Sequence, residues 1–152
     1  MAIETVLLAV GPHDADRYER LGEETTEIAG PAGATVVLGH VFTRDEYRDA
    51  LDRLDFEPER EEVSADDVAR RHSTIRDLGK LLDEADIDHE TRGLVGTHGE
   101  SIVTLAENVD ADLVIVGGRK RSPTGKAVFG STAQTVMLEA PCPVTFVRED
   151  TR

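Results

Sequence analysis

The residues best suited to chemistry stand together between Val116 and Thr132, in the run V-G-G-R-K-R-S-P-T-G-K-A-V-F-G-S-T. Gly117 and Gly118 let a backbone approach a ligand more closely than any Cβ would allow. Arg119, Lys120, Arg121 and Lys126 supply positive charge, and from Leu113 to Leu138 there is no acid. That window carries +4; since the whole chain stands at −14, the other 126 residues carry −18. Gly130-Ser131-Thr132 then opens a predicted helix, whose first N–H groups lack intrahelical partners and whose dipole favours an anion. The Ser131 and Thr132 hydroxyls add donors. Such a set suits the grip of a phosphate. It also suits a plain tight turn and helix cap, with bases keeping the loop solvated, because glycine-rich loops are common.

Two familiar phosphate loops do not fit. A P-loop needs Gly, four residues, then Gly-Lys-Ser/Thr, but Lys120 stands five residues before Gly125 and Ala127 follows Lys126. A G-x-G-x-x-G turn would follow the first predicted strand, where Gly11 to Asp16 holds a single glycine. The five histidines (His13, His40, His72, His89 and His98) show no metal-ligand spacing, so no protein-bound metal is expected. His40 ends a predicted strand and is a candidate for the border of a cleft. His13 and His98 fall in predicted loops, His72 and His89 on the surface. Cys142, between two prolines, reads as a small apolar filler without a partner for nucleophilic catalysis. No Ser-His-Asp order or general-base motif emerges, so no catalytic residue is assigned.

The charge balance narrows the partners. With 31 acids against 17 bases, the surface repels nucleic acid and anionic membranes. Three of the bases are Lys (Lys80, Lys120 and Lys126) and the rest Arg. Abundant acids, scarce Lys and 39% apolar residues suit a halophilic-type surface in concentrated salt, where screening shortens self-repulsion to roughly a few ångströms. An ordinary acidic protein is the plain alternative. One Cys excludes an internal disulfide framework. No run approaches the ~18 apolar residues that would span a bilayer, and Met1 to Val10 lacks the basic start of a signal peptide. A cytoplasmic location is expected.

The elements that must position these residues alternate. At 152 residues the chain fits one domain, residues 1–152. Thr5–Val10 and Ala34–Phe42 read as buried strands, with a helix from about Asp16 to Ala29 between them that Gly30-Pro31 stops. Arg44 to Asp67 holds eleven acids and is the least patterned stretch, either helical around Tyr47–Leu54 or an excursion. Most such runs are solvated surface. Ser64 and Asp67 resemble a helix start, and Val68, Ile75, Leu78, Leu82 and Ala85 mark one helix face. His89–Leu94 is a weak strand, Ser101–Asn108 a short helix, Leu113–Val116 a buried strand, Thr132–Leu138 a helix and Val144–Val147 the closing strand. Alternating strands and helices imply α/β class, a five-stranded, mostly parallel sheet with helices on both faces.

The glycine loop resembles the signature of the universal stress protein family: Gly, two residues, Gly, nine residues, Gly-Ser/Thr. Gly117 and Gly130-Ser131 match its first and last glycines. A-P-C-P-V-T-F-V (Ala140–Val147), L-G-H-V-F (Leu38–Phe42) and G-E-S-I-V-T-L-A (Gly99–Ala106) resemble the closing strand, second strand and third helix of that family. The likeness covers nearly the whole chain and is weakest in the acidic stretch. It implies a Rossmann-like, adenine nucleotide alpha-hydrolase-like fold and a stress-response module binding ATP or AMP, with or without Mg. By the same resemblance Val41 would offer backbone atoms to adenine, Gly117 would border the ribose and phosphates, and Gly130, Ser131 and Thr132 would hold phosphate. Gly11, Gly118, Arg119 and Lys120 are further candidates for the nucleotide site, Lys120 either clashing with that pose or replacing a backbone contact with a charge. A homodimer through Val144–Val147 is implied as well. Two positions depart from the pattern. Lys120 stands at the middle glycine, and Gly11 stands where ATP-binding members carry Asp, with Asp14 and Asp16 nearby but out of register. They leave open an interaction module of the same family without nucleotide. As an enzyme, the chain would be at most a slow ATPase.

Overall fold

The computed structural model of the chain describes residues 2–12, 14–54, 64–118 and 130–148. Its five strands are β1 (Thr5–Val10), β2 (Thr35–Phe42), β3 (His89–Val95), β4 (Leu113–Gly118) and β5 (Val144–Arg148). They form one sheet in the order β3-β2-β1-β4-β5, and every neighbouring pair is parallel. The central strands are almost continuously apolar because helices cover both faces of the sheet. Their side chains alternate between two layers. Val6, Leu8, Val36, Leu38, Leu113 and Ile115 pack against Leu21 of α1 (Tyr18–Ala32) and Ile75, Leu78 and Leu82 of α4 (Ser73–Glu84). Leu7, Ala9, Val37, Val41, Val114 and Val116 meet Ile102 and Leu105 of α5 (His98–Asn108) and Val136 of α6 (Ser131–Glu139). A fully buried Val, Leu or Ile contributes about 1.5–3 kcal/mol, so these layers hold the sheet.

Several boundaries differ from the sequence reading. A 3-10 turn, Asp14–Arg17, precedes α1. The helix does not stop at Gly30-Pro31; it carries Pro31 in its last turn and ends at Gly33, whose φ of 66° is left-handed. There the N–H groups of Gly33 and Ala34 close back onto Gly30 and Ala29 carbonyls at 3.1 and 3.0 Å, so the positive-φ glycine sets the end. Part of the acidic stretch is helical, as α2 (Arg44–Arg53), started by a capping box of Thr43 and Glu46. Residues 55–63 lie outside the described residues.

Val68 to Ala85 is not one helix. α3 (Ala65–Arg70) starts at Ser64 with the Asp67 capping box, and the chain turns extended at His72 before α4. The two pieces have different destinations. α3 packs on β3, where the Gly93 N–H donates to Asp66 Oδ1 at 2.7 Å and a Cβ on Gly93 would overlap the Ala65 carbonyl. α4 instead lies on the sheet face beside α1. α5 begins three residues before the expected Ser101. β4 runs past Val116 through Gly117 and Gly118, which pair with Val147 and Arg148.

Candidate functional site

The sheet order reverses at β1: the chain builds outward through β2 and β3, then returns to the other side with β4 and β5. A crevice at the carboxyl ends of the strands follows from such a reversal. The crevice is a cleft of about 520 Å³. Gly11 follows β1, Val41 lies near the end of β2, Gly117 and Gly118 end β4, and Gly130, Ser131 and Thr132 open α6; all seven line the cleft. Arg119 and Lys120 lie outside the described residues, with Arg121 and Lys126.

Gly130, not Ser131, is the cap of α6, and no side chain caps the helix. The first intrahelical bond runs from the Gln134 N–H to the Gly130 carbonyl at 3.0 Å. The amides of Ser131, Thr132 and Ala133 therefore precede the hydrogen-bonded ladder, at the positive end of the helix dipole. The β4 glycines differ in purpose. A Cβ on Gly118 would overlap the Phe146 ring, a demand of packing. A Cβ on Gly117 would stand 3.0 Å from Asp14 Oδ1 and 3.3 Å from Arg17 Nε.

Of those two neighbours, sequence reasoning set Asp14 aside as out of register and missed Arg17. Asp14 and Arg17 are 4% and 9% exposed and both line the cleft. Arg17 Nε donates to Asp14 Oδ1 at 2.5 Å, and the Gly11 N–H donates to Asp14 Oδ2 at 2.6 Å. Asp14 is out of register with the end of β1 in sequence, yet it returns its carboxylate there. The signal was the three-residue spacing of an acid and a base in D-A-D-R.

A second pair sits across the cleft. His98 Nε2 meets Glu46 Oε1 at 2.7 Å, and the same oxygen accepts the Thr43 N–H at 2.8 Å. Burial pushes the Glu46 carboxyl up, but the Thr43 N–H and His98 outweigh it and hold the group below its ordinary range. His98 is thus in the first turn of α5 rather than a loop, and lines the cleft with Glu46.

His40 does not border this cleft. Alternation along β2 sends Val41 to the α5 layer and His40 to the α4 side. There His40 is 4% exposed, its Nδ1 is 2.7 Å from the Val10 carbonyl, and its ring centre lies 4.3 Å from that of His72. Burial, then the neighbouring His72, lowers its pKa to about 4. His72 is half-buried rather than on the surface, and burial followed by Arg53 lowers its pKa too. His89 is also half-buried, 2.8 Å from Asp83. His13 lies outside the described residues. Cys142 packs against the α5 layer, and burial, then Asp112, pushes its thiol pKa up. Among the described residues no group of three His, Cys, Asp or Glu side chains is placed to hold a metal ion, and no helix is long and apolar enough to cross a membrane.

The model of the universal stress protein family matches residues 2–148. A universal stress protein of Mycolicibacterium smegmatis is 35% identical over 79 residues, which are 51% of this chain and 61% of that protein. The match thus spans about three fifths of that relative's length. The solved structure of a universal stress protein from Archaeoglobus fulgidus superposes with a TM-score of 0.69 at 27% identity, covering 95% of this chain and 98% of that one. A universal stress protein structure from the same organism, in complex with dAMP, superposes with a TM-score of 0.66 at 22% identity over 97% and 99% of the two chains.

Proposed function

This chain belongs to the universal stress protein family, and from that premise we propose that its cleft binds an adenine nucleotide, ATP or AMP, as a stress-response module. One observation carries the reading: the uncapped start of α6 and the bare backbone of β4 line one cleft at the reversal point of the sheet. A helix start of that kind is a ready site for phosphate. Val41, across the cleft, would meet adenine through its main chain. A related protein from Archaeoglobus fulgidus was solved with dAMP, which supports the ligand class. Both Asp14 oxygens are already engaged, so Mg²⁺, where present, would ride on the phosphates. The reading extends to a cytoplasmic homodimer through Val144–Val147. β5 is an edge strand, and an open edge needs cover. Sedimentation checks the dimer, and a monomer at micromolar concentration sinks that part.

Calorimetric titration with AMP and ATP, at a KCl concentration that keeps the protein folded, tests the central claim. Binding is expected, and Ser131→Ala should weaken it about fivefold, the value of one net hydrogen bond. No heat of binding, together with a thermal midpoint that ignores ATP, would favour an interaction module without nucleotide.

A further inference from the structure

We infer that Arg17 is the side chain through which this cleft recognises the phosphate of its ligand, an inference that rests on the nucleotide reading above. The guanidinium is buried, lines the cleft and stands beside Gly117. A guanidinium carries five N–H donors in a fixed fork. Only Nε is paired among the described residues, with Asp14 Oδ1. Asp14 does not close a two-bond pair with the guanidinium, because its other oxygen takes the Gly11 N–H. The terminal nitrogens are left for a second anion.

The setting favours a phosphate oxygen as that anion. Asp14 fixes the plane of the guanidinium through Nε, so little side-chain freedom is lost when a ligand arrives. Paired N–H donors match the geometry of a phosphate. Arg17 lines the same cleft as the open amides of α6. The small volume of Gly117 admits it: any Cβ there would press on Nε. A purely structural Asp14–Arg17 pair would affect stability but would not separate a phosphorylated ligand from its nucleoside.

That separation is the test. AMP and adenosine are titrated calorimetrically into the wild type, into Arg17→Met, and into the Asp14→Asn/Arg17→Met double variant. The double variant removes both buried charges and keeps the fold where the single change leaves Asp14 unpaired. Thermal melts verify folding. AMP binding is expected to weaken about tenfold to a hundredfold in the folded variants, the value of charge-assisted hydrogen bonds, with adenosine binding unchanged. Equal weakening of both ligands, or no change in either, overturns the role of Arg17. A wild type that binds neither ligand ends the nucleotide reading, and this inference with it.

Discussion

Two polar pairs, one buried and the other a buried histidine against a half-buried one, sit at the carboxyl ends of the central strands and solve burial in opposite ways. Asp14 and Arg17, beside Gly117 at the end of β4, are ionisable partners in contact at 2.5 Å, and they line the cleft. His40 and His72, beyond the end of β1, are two imidazoles whose tilted rings are centred 4.3 Å apart, where a proton on one would repel a proton on the other. The first pair holds a charge inside the protein because each member neutralises the other. The second avoids charge, with His40 tied to the Val10 carbonyl as a neutral donor. A pair that holds charge in the cleft can add a cationic donor to the open amides of α6. On the proposed reading, ligand recognition falls to the Asp14 side and packing to the His40 side, although a histidine at a strand end looks more chemical than an aspartate in a turn.

The largest test of this contrast is Asp14→Ala, which strands the Arg17 cation in the protein. Urea unfolding should show a loss of about 3–5 kcal/mol, as when one member of a buried ion pair is removed. A loss below 1 kcal/mol would mean that the pair is solvated and the contrast false. The histidine side should respond to pH instead. A His with a folded pKa of about 4, against an ordinary 6.5, takes up fewer protons folded than unfolded. Its share of stability is full above pH 6.5, falls as pH drops, and is gone by about pH 4. The span corresponds to about 3 kcal/mol. His40→Asn keeps a donor for Val10 and should flatten that slope; an unchanged slope assigns it to other groups.

Smaller effects sharpen the boundary between the two sides. Gly117→Ala places a Cβ 3.0 Å from Asp14 Oδ1, and repacking should cost about 1–2 kcal/mol with weaker AMP binding. A neutral outcome would show that the pair slides freely. Smallest is Glu46→Gln. Its partner His98 is a partly exposed group, so urea unfolding should show stability falling by less than about 1 kcal/mol. A larger loss would mean that the contact is shielded from solvent more than its exposure shows.

Periodicity alone made the α/β alternation, the apolar strands and the glycine-rich approach to α6 legible, since a sheet covered on both faces must be built from runs such as T-V-L-L-A-V. The family signature placed Gly117 and Gly130 on one site because its spacing is local. Boundaries were less visible. Pro31 argued for a helix end that Gly33 actually provides, and the close seat of α3 on the sheet depends on Gly93, on a strand reached only later in the chain. The site's charged residues were hidden for the same reason. The spacing in D-A-D-R hints at the Asp14–Arg17 contact, but nothing near it in sequence says that the pair lies beside Gly117, a residue about a hundred positions away. Composition and spacing determined the class of fold and the site's backbone, because both follow from local pattern. Tertiary structure alone decided which polar side chains share the cleft and which charges survive burial, because those depend on neighbours that distant segments supply.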